Sequence, residues 1–235
     1  MLVNGDFNVN QRGKSSYTGE GYGPDMWKIR TSGTMTMNSG YVSFTGNSFT
    51  QFVPVSNFET SDYTIVIKLL NEDARVYHFN SFTGDYVEIT LPNDTKVKCS
   101  LQYVNNKYLM LIVWPLTGSA VNIEHIDMFK GAIAFNARED YATALMRCER
   151  YLEVGQYACY GHGDYWIQGF TYRTPKADVP TVNITFVADS NGLVQKSFQA
   201  VSPNIYDCPF IRLTSGTAAS VTGALNVAAQ ISCEP

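Results

Sequence analysis

"TMTMNSGYVSF" (Thr34–Phe44) alternates Met35 and Met37 with threonines, breaks at Asn38-Ser39-Gly40, and resumes with Val42 and Phe44. Apolarity of period two puts one kind of side chain on each face of a strand. Asn-Ser-Gly supplies turn chemistry between two such runs, so the stretch reads as a β-hairpin. Its neighbours repeat the pattern: "YTIVIKLL" (Tyr63–Leu70), "VYHFNSF" (Val76–Phe82), "YVEITL" (Tyr86–Leu91), "KVKCSLQYV" (Lys96–Val104) and "YLMLIVWPL" (Tyr108–Leu116), bounded by Gly, Pro, Asn or Asp. Short β-branched and aromatic runs with turn signals about every 8–12 residues predict an antiparallel sandwich. "YTIVIKLL" is almost wholly apolar, as a central strand covered on both faces should be.

The period then changes. In "NAREDYATALMRCERYLEVG" (Asn136–Gly155), Tyr141, Leu145, Cys148 and Leu152 fall on one helical face. Asn136 with Glu139 resembles a capping box, and Gly155 reads as a stop. A lone helix in a β chain marks a join, so the expected domains are 1–135 and 136–235. Strands resume in "YWIQGFTYRT", "TVNITFVA", "LVQKSFQAVS", "FIRLTS" and "ALNVAAQISCE". "DSNG" (Asp189–Gly192) lacks the ligands of a calcium loop, Ala200 standing where a bidentate Glu belongs, and reads as a turn.

The chain has 235 residues, 45% hydrophobic, enough for an ordinary core. Charged residues are only 16%, net charge is −4, and no Lys/Arg run occurs. A phosphate-tracking surface needs clustered cations, so nucleic acid is not an expected partner. No run is long and apolar enough for a bilayer, and no secretion signal is recognisable. Cys99, Cys148, Cys159, Cys208 and Cys233 are odd in number without a CxxC, so free thiols are expected rather than disulfides or a zinc knuckle. No cofactor or metal is expected: the three His are scattered without ligand spacing. No G-x-S-x-G elbow occurs, and the sequence sets no pair of carboxylates in a cleft, so catalysis is not expected.

Three pieces recur in a known order: "NGDFNVNQRG" (Asn4–Gly13), "GYGPDMW" (Gly21–Trp27) and "AIAFNAREDYATALMRCERYLE" (Ala132–Glu153). Together they resemble bacteriophage and prophage tail-fibre or receptor-binding proteins. The likeness is carried by Asn4, Gly5, Phe7, Gln11, Arg12, Gly13, Asp25, Trp27, Leu145, Cys148, Arg150 and Tyr151. Met26 departs from it, standing where Arg is usual, and Leu152 replaces a second aromatic. The resemblance implies a jelly-roll sandwich similar to carbohydrate-binding modules, one helix, and a smaller C-terminal β domain, itself expected to be a small sandwich. It further implies a homotrimeric virion protein, made in the bacterial cytoplasm, that contacts other tail proteins and binds cell-surface glycan without catalysis. A carbohydrate-binding module or lectin of a bacterial polysaccharide system, and a purely structural virion component, are the other two readings.

Arg12 with Asp6 or Asp25, among Asn4 and Gln11, suits either a sugar-hydroxyl clamp or a pin between the N-terminal segment and Asp25–Trp27. The pin is favoured, because short amide side chains at turns usually serve nearby backbone. For a glycan site, "YACYGHGDYW" gathers Tyr157, Tyr160, His162, Asp164, Tyr165 and Trp166 around two glycines. It is either an exposed stacking loop or a core hairpin whose rings pack inside. A second candidate stretch, "HFNSFTGDYVE", adds Asp85 and the adjacent Tyr77, either as a lining of the sandwich's concave face or, the reading favoured for Tyr77, Phe79 and Phe82, as core and edge residues.

Overall fold

The computed structural model describes residues 2–55, 61–132, 140–162, 166–188, 198–213 and 223–234. The protein is mainly β, with antiparallel sheets, and separates into two compact units, Met1–Leu145 and Met146–Pro235. No helix among the described residues is long and apolar enough to cross a membrane.

The first unit holds β1 (Ser16–Thr18), β2 (Gly21–Tyr22), β3 (Lys28–Ile29), β4 (Gly33–Asn38), β5 (Tyr41–Gly46), β6 (Phe49–Pro54), β7 (Ser61–Leu69), β8 (Ala74–Phe82), β9 (Val87–Ile89), β10 (Val97–Val104), β11 (Tyr108–Pro115) and β12 (Val121–Lys130). They form two six-stranded sheets, ordered β1-β4-β5-β12-β7-β8 and β2-β3-β6-β11-β10-β9. The opening hairpin is β4–β5, with Gly40 at φ 81° in its turn. Phe44 of one sheet packs edge-on against Phe49 of the other, ring centroids 4.8 Å apart. Inward residues of both sheets share one core, so this unit is a sandwich. β7 is central, paired with β8 and β12, and its residues 63–67 are all buried.

Residues 2–12 add no strand, yet they are stitched in along their length. Gln51 of β6 exchanges two 2.7 Å hydrogen bonds with the backbone of Val3. The Ile126 amide of β12 donates to Gly5 O, and a Cβ on Gly5 would lie 2.2 Å from Ile126 O. Asn4 sits at φ 57°, a region Asn tolerates. Its amide donates to Val9 O and Asp25 O, its carbonyl side-chain oxygen accepts from Val9 N, and its backbone oxygen accepts from Trp27 Nε1 at 2.9 Å. Phe7 packs on Trp27, and Asp6 meets His125 Nδ1 at 2.7 Å. Asp25, fully buried, accepts from Gln11 N and Nε2 and lies 3.6 Å from the Arg12 guanidinium.

The helix α1 (Tyr141–Glu149) is shorter than expected. Its cap is Asp140, whose carboxylate accepts from Thr143 N at 3.1 Å; the expected cap Asn136 and its partner Glu139 lie outside the described residues. Leu152 and Gly155, expected at the helix end, belong to a strand. That strand is β13 (Leu152–His162), joined in the second unit by β14 (Trp166–Thr171), β15 (Thr181–Ala188), β16 (Phe198–Val201), β17 (Asp207–Leu213) and β18 (Gly223–Ser232). Among the described residues these strands form one sheet, β15-β18-β13-β14-β17-β16, where a small sandwich was expected. Cα atoms of its first and last strands come within 8 Å, so the sheet curls around its own core of Tyr157, Cys159, Phe170, Tyr172, Cys208 and Ile211 among others. Cys148 and Tyr151 are buried at the start of this unit, and Arg150 offers its carbonyl to Ala177 N. All five cysteines are free.

Arg12→Ala removes the guanidinium beside the Asp25 carboxylate, which stays fully buried. It should cost about 1–3 kcal/mol, which lowers Tm by several degrees at about 2–4 °C per kcal/mol for a chain of this size. An unchanged melting curve contradicts the pin.

Candidate functional site

Alternation along β11 sends Leu109, Leu111 and Val113 into the sandwich core and Tyr108, Met110, Ile112 and Trp114 to the other face of the sheet. Register then sets Lys98 of β10 opposite Trp114 and Glu88 of β9 opposite Ser100. Lys98 Nζ lies 5.0 Å from the Trp114 ring centroid and 2.6 Å from Glu88 Oε1. Tyr86, 47% exposed, meets Trp114 edge-on at 6.4 Å and donates its hydroxyl to Glu88 Oε2 at 3.1 Å. An exposed tyrosine ring and a half-buried tryptophan ring thus accompany a carboxylate and an ammonium. Ser100, in register between Glu88 and Ile112, is fully buried, and its hydroxyl finds no partner among the described residues.

A groove lies among the loops at one end of the same sandwich. A cavity of about 570 Å³ opens between the β7–β8 turn and the β9–β10 loop, lined by Glu72, Asp73, Arg75, Asn93, Asp94 and Thr95 with their neighbours. A second, of about 320 Å³, is lined by the β11–β12 loop with Thr117, Ser119 and Asn122. Glu72 and Lys96 line both and bridge each other, so their ion pair stands between the two cavities. Arg75 is clamped between Glu72 at 2.8 Å and Asp94 at 2.6 Å.

These partners act on the carboxyls. The Lys98 ammonium holds Glu88 below the usual glutamate range; burial opposes it, and the Tyr86 hydroxyl adds a lesser lowering. Hydrogen bonds from Lys96 and Arg75 do the same for Glu72.

The residues expected to bind glycan are dispersed. Tyr77 is fully buried, donates its hydroxyl to Val97 O at 3.2 Å, and is pushed by burial to a raised pKa. Tyr157 is buried in the second unit, stacked on Phe170 at 4.1 Å, with its hydroxyl given to Glu153. Neither ring offers a face to a ligand, which corrects both assignments. The backbone of 157–162 runs in β13 and pairs with β14 through Gly161–Ile167 and His162–Trp166. Asp164 and Tyr165 lie outside the described residues, as do the side chains of Tyr160, His162 and Trp166. "DSNG" lies outside them too. Asp85 is exposed on the turn into β9, accepting from Thr83, one residue before Tyr86. The second candidate stretch reaches the Tyr86–Trp114 surface through its end, Asp85–Glu88, and not through Tyr77. Asn4, Asp6, Phe7, Gln11, Arg12, Asp25 and Trp27 do come together, as the buried pin described above.

The second unit holds a sealed ionic cluster. Lys176 and Glu153 side chains are both fully buried, 2.5 Å apart, and Lys176 also donates to Glu149 O. Arg173 N donates to both Glu153 oxygens at 3.1 and 3.2 Å, and its guanidinium reaches Glu149 at 3.0 Å. Burial lowers the Lys176 pKa while Glu153 opposes the shift. Two glutamates, a lysine and a tyrosine are the makings of acid–base chemistry, but the Glu153 and Lys176 side chains expose nothing to solvent. The arrangement ties the end of α1 and the start of β13 to residues 172–177. Among the described residues no group of three or more His, Cys, Asp or Glu could hold a metal ion. No family model matches the chain, and no curated protein or solved structure matches it either.

Two measurements follow from these charges. The Glu72 and Glu88 pKa values are depressed on folding, so their stabilisation is complete above the ordinary glutamate pKa of about 4.3 and is lost as pH falls through the lower folded values. Carboxyl NMR titration should find both midpoints below that of a free glutamate; a midpoint at or above it contradicts the pairing. Lys176→Met strips Glu153 of its buried ammonium and should destabilise the protein by about 3–5 kcal/mol in urea unfolding, whereas a loss under about 1 kcal/mol contradicts the network.

Proposed function

We propose that this protein is a non-catalytic adhesin that binds bacterial surface glycan through the Tyr86–Trp114 surface and the adjoining loop-end groove. The observation that carries the reading is the ring pair, with Lys98 over the Trp114 ring and Glu88 joining it to the Tyr86 hydroxyl. Sugars are bound by stacking C–H faces on aromatic rings while carboxylate, ammonium and amide groups take the hydroxyls. Rings of this kind bring large contact area at little entropic cost.

Absence of catalysis is supported by how the carboxylates are engaged. Glu72, Glu88 and Asp94 are each bound to a cation, and Glu149 and Glu153 are buried. A general acid needs a carboxyl poised to hold a proton near neutral pH, and Glu72 and Glu88 are shifted the other way. The tail-fibre reading rests on the three sequence pieces described first. The two-sheet first unit agrees with the jelly-roll they imply, and a homotrimer on a virion would present three shallow sites to one cell surface, giving avidity from weak contacts.

Binding to an array of bacterial surface polysaccharides tests this. Wild type should give discrete hits, and Trp114→Ala and Tyr86→Ala should each weaken them by about tenfold or more while melting as wild type. Hits that survive both substitutions move the site elsewhere. No hits at all favour a purely structural role. A solution mass of one chain, rather than three, favours an isolated carbohydrate-binding module.

A further inference from the structure

Resting on that glycan-binding reading, we infer that the ligand is an electrically neutral polysaccharide, and that uronate-, sialate- and phosphate-bearing glycans are rejected. The cations lining the ring surface and the groove are Arg75, Lys96 and Lys98, and every one is committed. Lys98 is held by Glu88 at 2.6 Å, Lys96 by Glu72, and Arg75 by Glu72 and Asp94 at 2.8 and 2.6 Å. An anionic sugar would have to displace a carboxylate already in place, trading one charge-assisted contact for another and leaving the displaced carboxylate beside it. The unpaired charges have the wrong sign for an anion. Asp73, exposed, lines the groove, Asp85, exposed, precedes Tyr86, and neither has an ion pair among the described residues. Five carboxylates (Glu72, Asp73, Asp85, Glu88, Asp94) stand against three cations, a net of −2 over the surface. The whole chain, at −4, does not reverse it.

What remains suits hydroxyls. Each carboxylate–cation pair sets an acceptor beside a donor, the complement of two neighbouring hydroxyls. Asn93, Thr95, Thr117, Ser119 and Asn122 add neutral donors and acceptors along the groove. Hydrogen bonding of this kind is insensitive to salt, whereas attraction or repulsion of an ionic polymer is screened by it.

The test is one array carrying neutral polymers (mannan, galactan, glucan and N-acetylglucosamine chains) and acidic ones (polyuronate, polysialate and glycerol-phosphate teichoic acid). It is read at about 50 and about 500 mM NaCl, which shortens the screening length about threefold. Hits confined to neutral polymers, with apparent Kd changing less than about twofold between the two salts, are expected. Hits on acidic polymers that vanish at high salt and in Lys98→Gln overturn the inference while leaving the adhesin reading standing. Wild type that binds neither class sinks the adhesin reading, and this inference with it.

Discussion

A carboxylate cannot be buried unaccompanied, and the Asp25 side chain is fully buried. Its two oxygens need donors, and Gln11 and Arg12 bring them from a segment that forms no strand. That requirement fixes where residues 2–12 run. Once they are there, Asn4 can bond Val9, Asp25 and Trp27 together, Gln51 can close on Val3, and Gly5 can lie against Ile126. Trp27, held by its indole N–H and packed on Phe7 and Phe49, then becomes the hub of the sandwich core. The polar opening segment is thus a fastening between two sheets. The same chemistry that makes amides and guanidinium good ligands for sugars is here spent on backbone and carboxylate.

Much of the first unit was legible because burial on one face prints itself on the sequence at period two. The β4–β5 hairpin and the buried run of β7 need no tertiary knowledge. β13 was not legible in this way. In "LEVGQYAC" its inward residues include Glu153, Tyr157 and Cys159, so a charge stands where an apolar residue should mark the core. Helical spacing from Tyr141 to Leu152 then seemed to continue through it. The deciding fact is that Lys176 and the Arg173 amide, 23 and 20 residues away, neutralise and solvate Glu153. Gly155, expected as a helix stop, instead lies within β13, in register with Ala229 of β18. A long-range partner overrode a local pattern in both cases.

The candidate site was hidden for a related reason. Trp114 sits in an apolar run whose other face is core, and nothing local says which face it takes. Only the β10–β11 register, which sets Lys98 across from it, shows that Trp114 belongs with the charged face. Aromatic density in sequence pointed instead to Tyr77 and Tyr157, whose rings the two cores consume. Ring-rich stretches usually report packing, and a ligand platform is marked by the polar side chains that share its face.

Charge scarcity and charge pairing act together on this surface. With 16% charged residues, few side chains are available to make a field. Where cations do gather, at Arg75, Lys96 and Lys98, carboxylates within hydrogen-bonding distance cancel them. These cations therefore steer no anion toward the surface, since steering needs a net potential of the opposite sign. Discrimination must come at contact, from ring faces and from fixed donor–acceptor pairs whose orientation the ion pairs themselves hold. Individual contacts of that kind are weak, so useful adhesion from such a surface requires several copies acting at once.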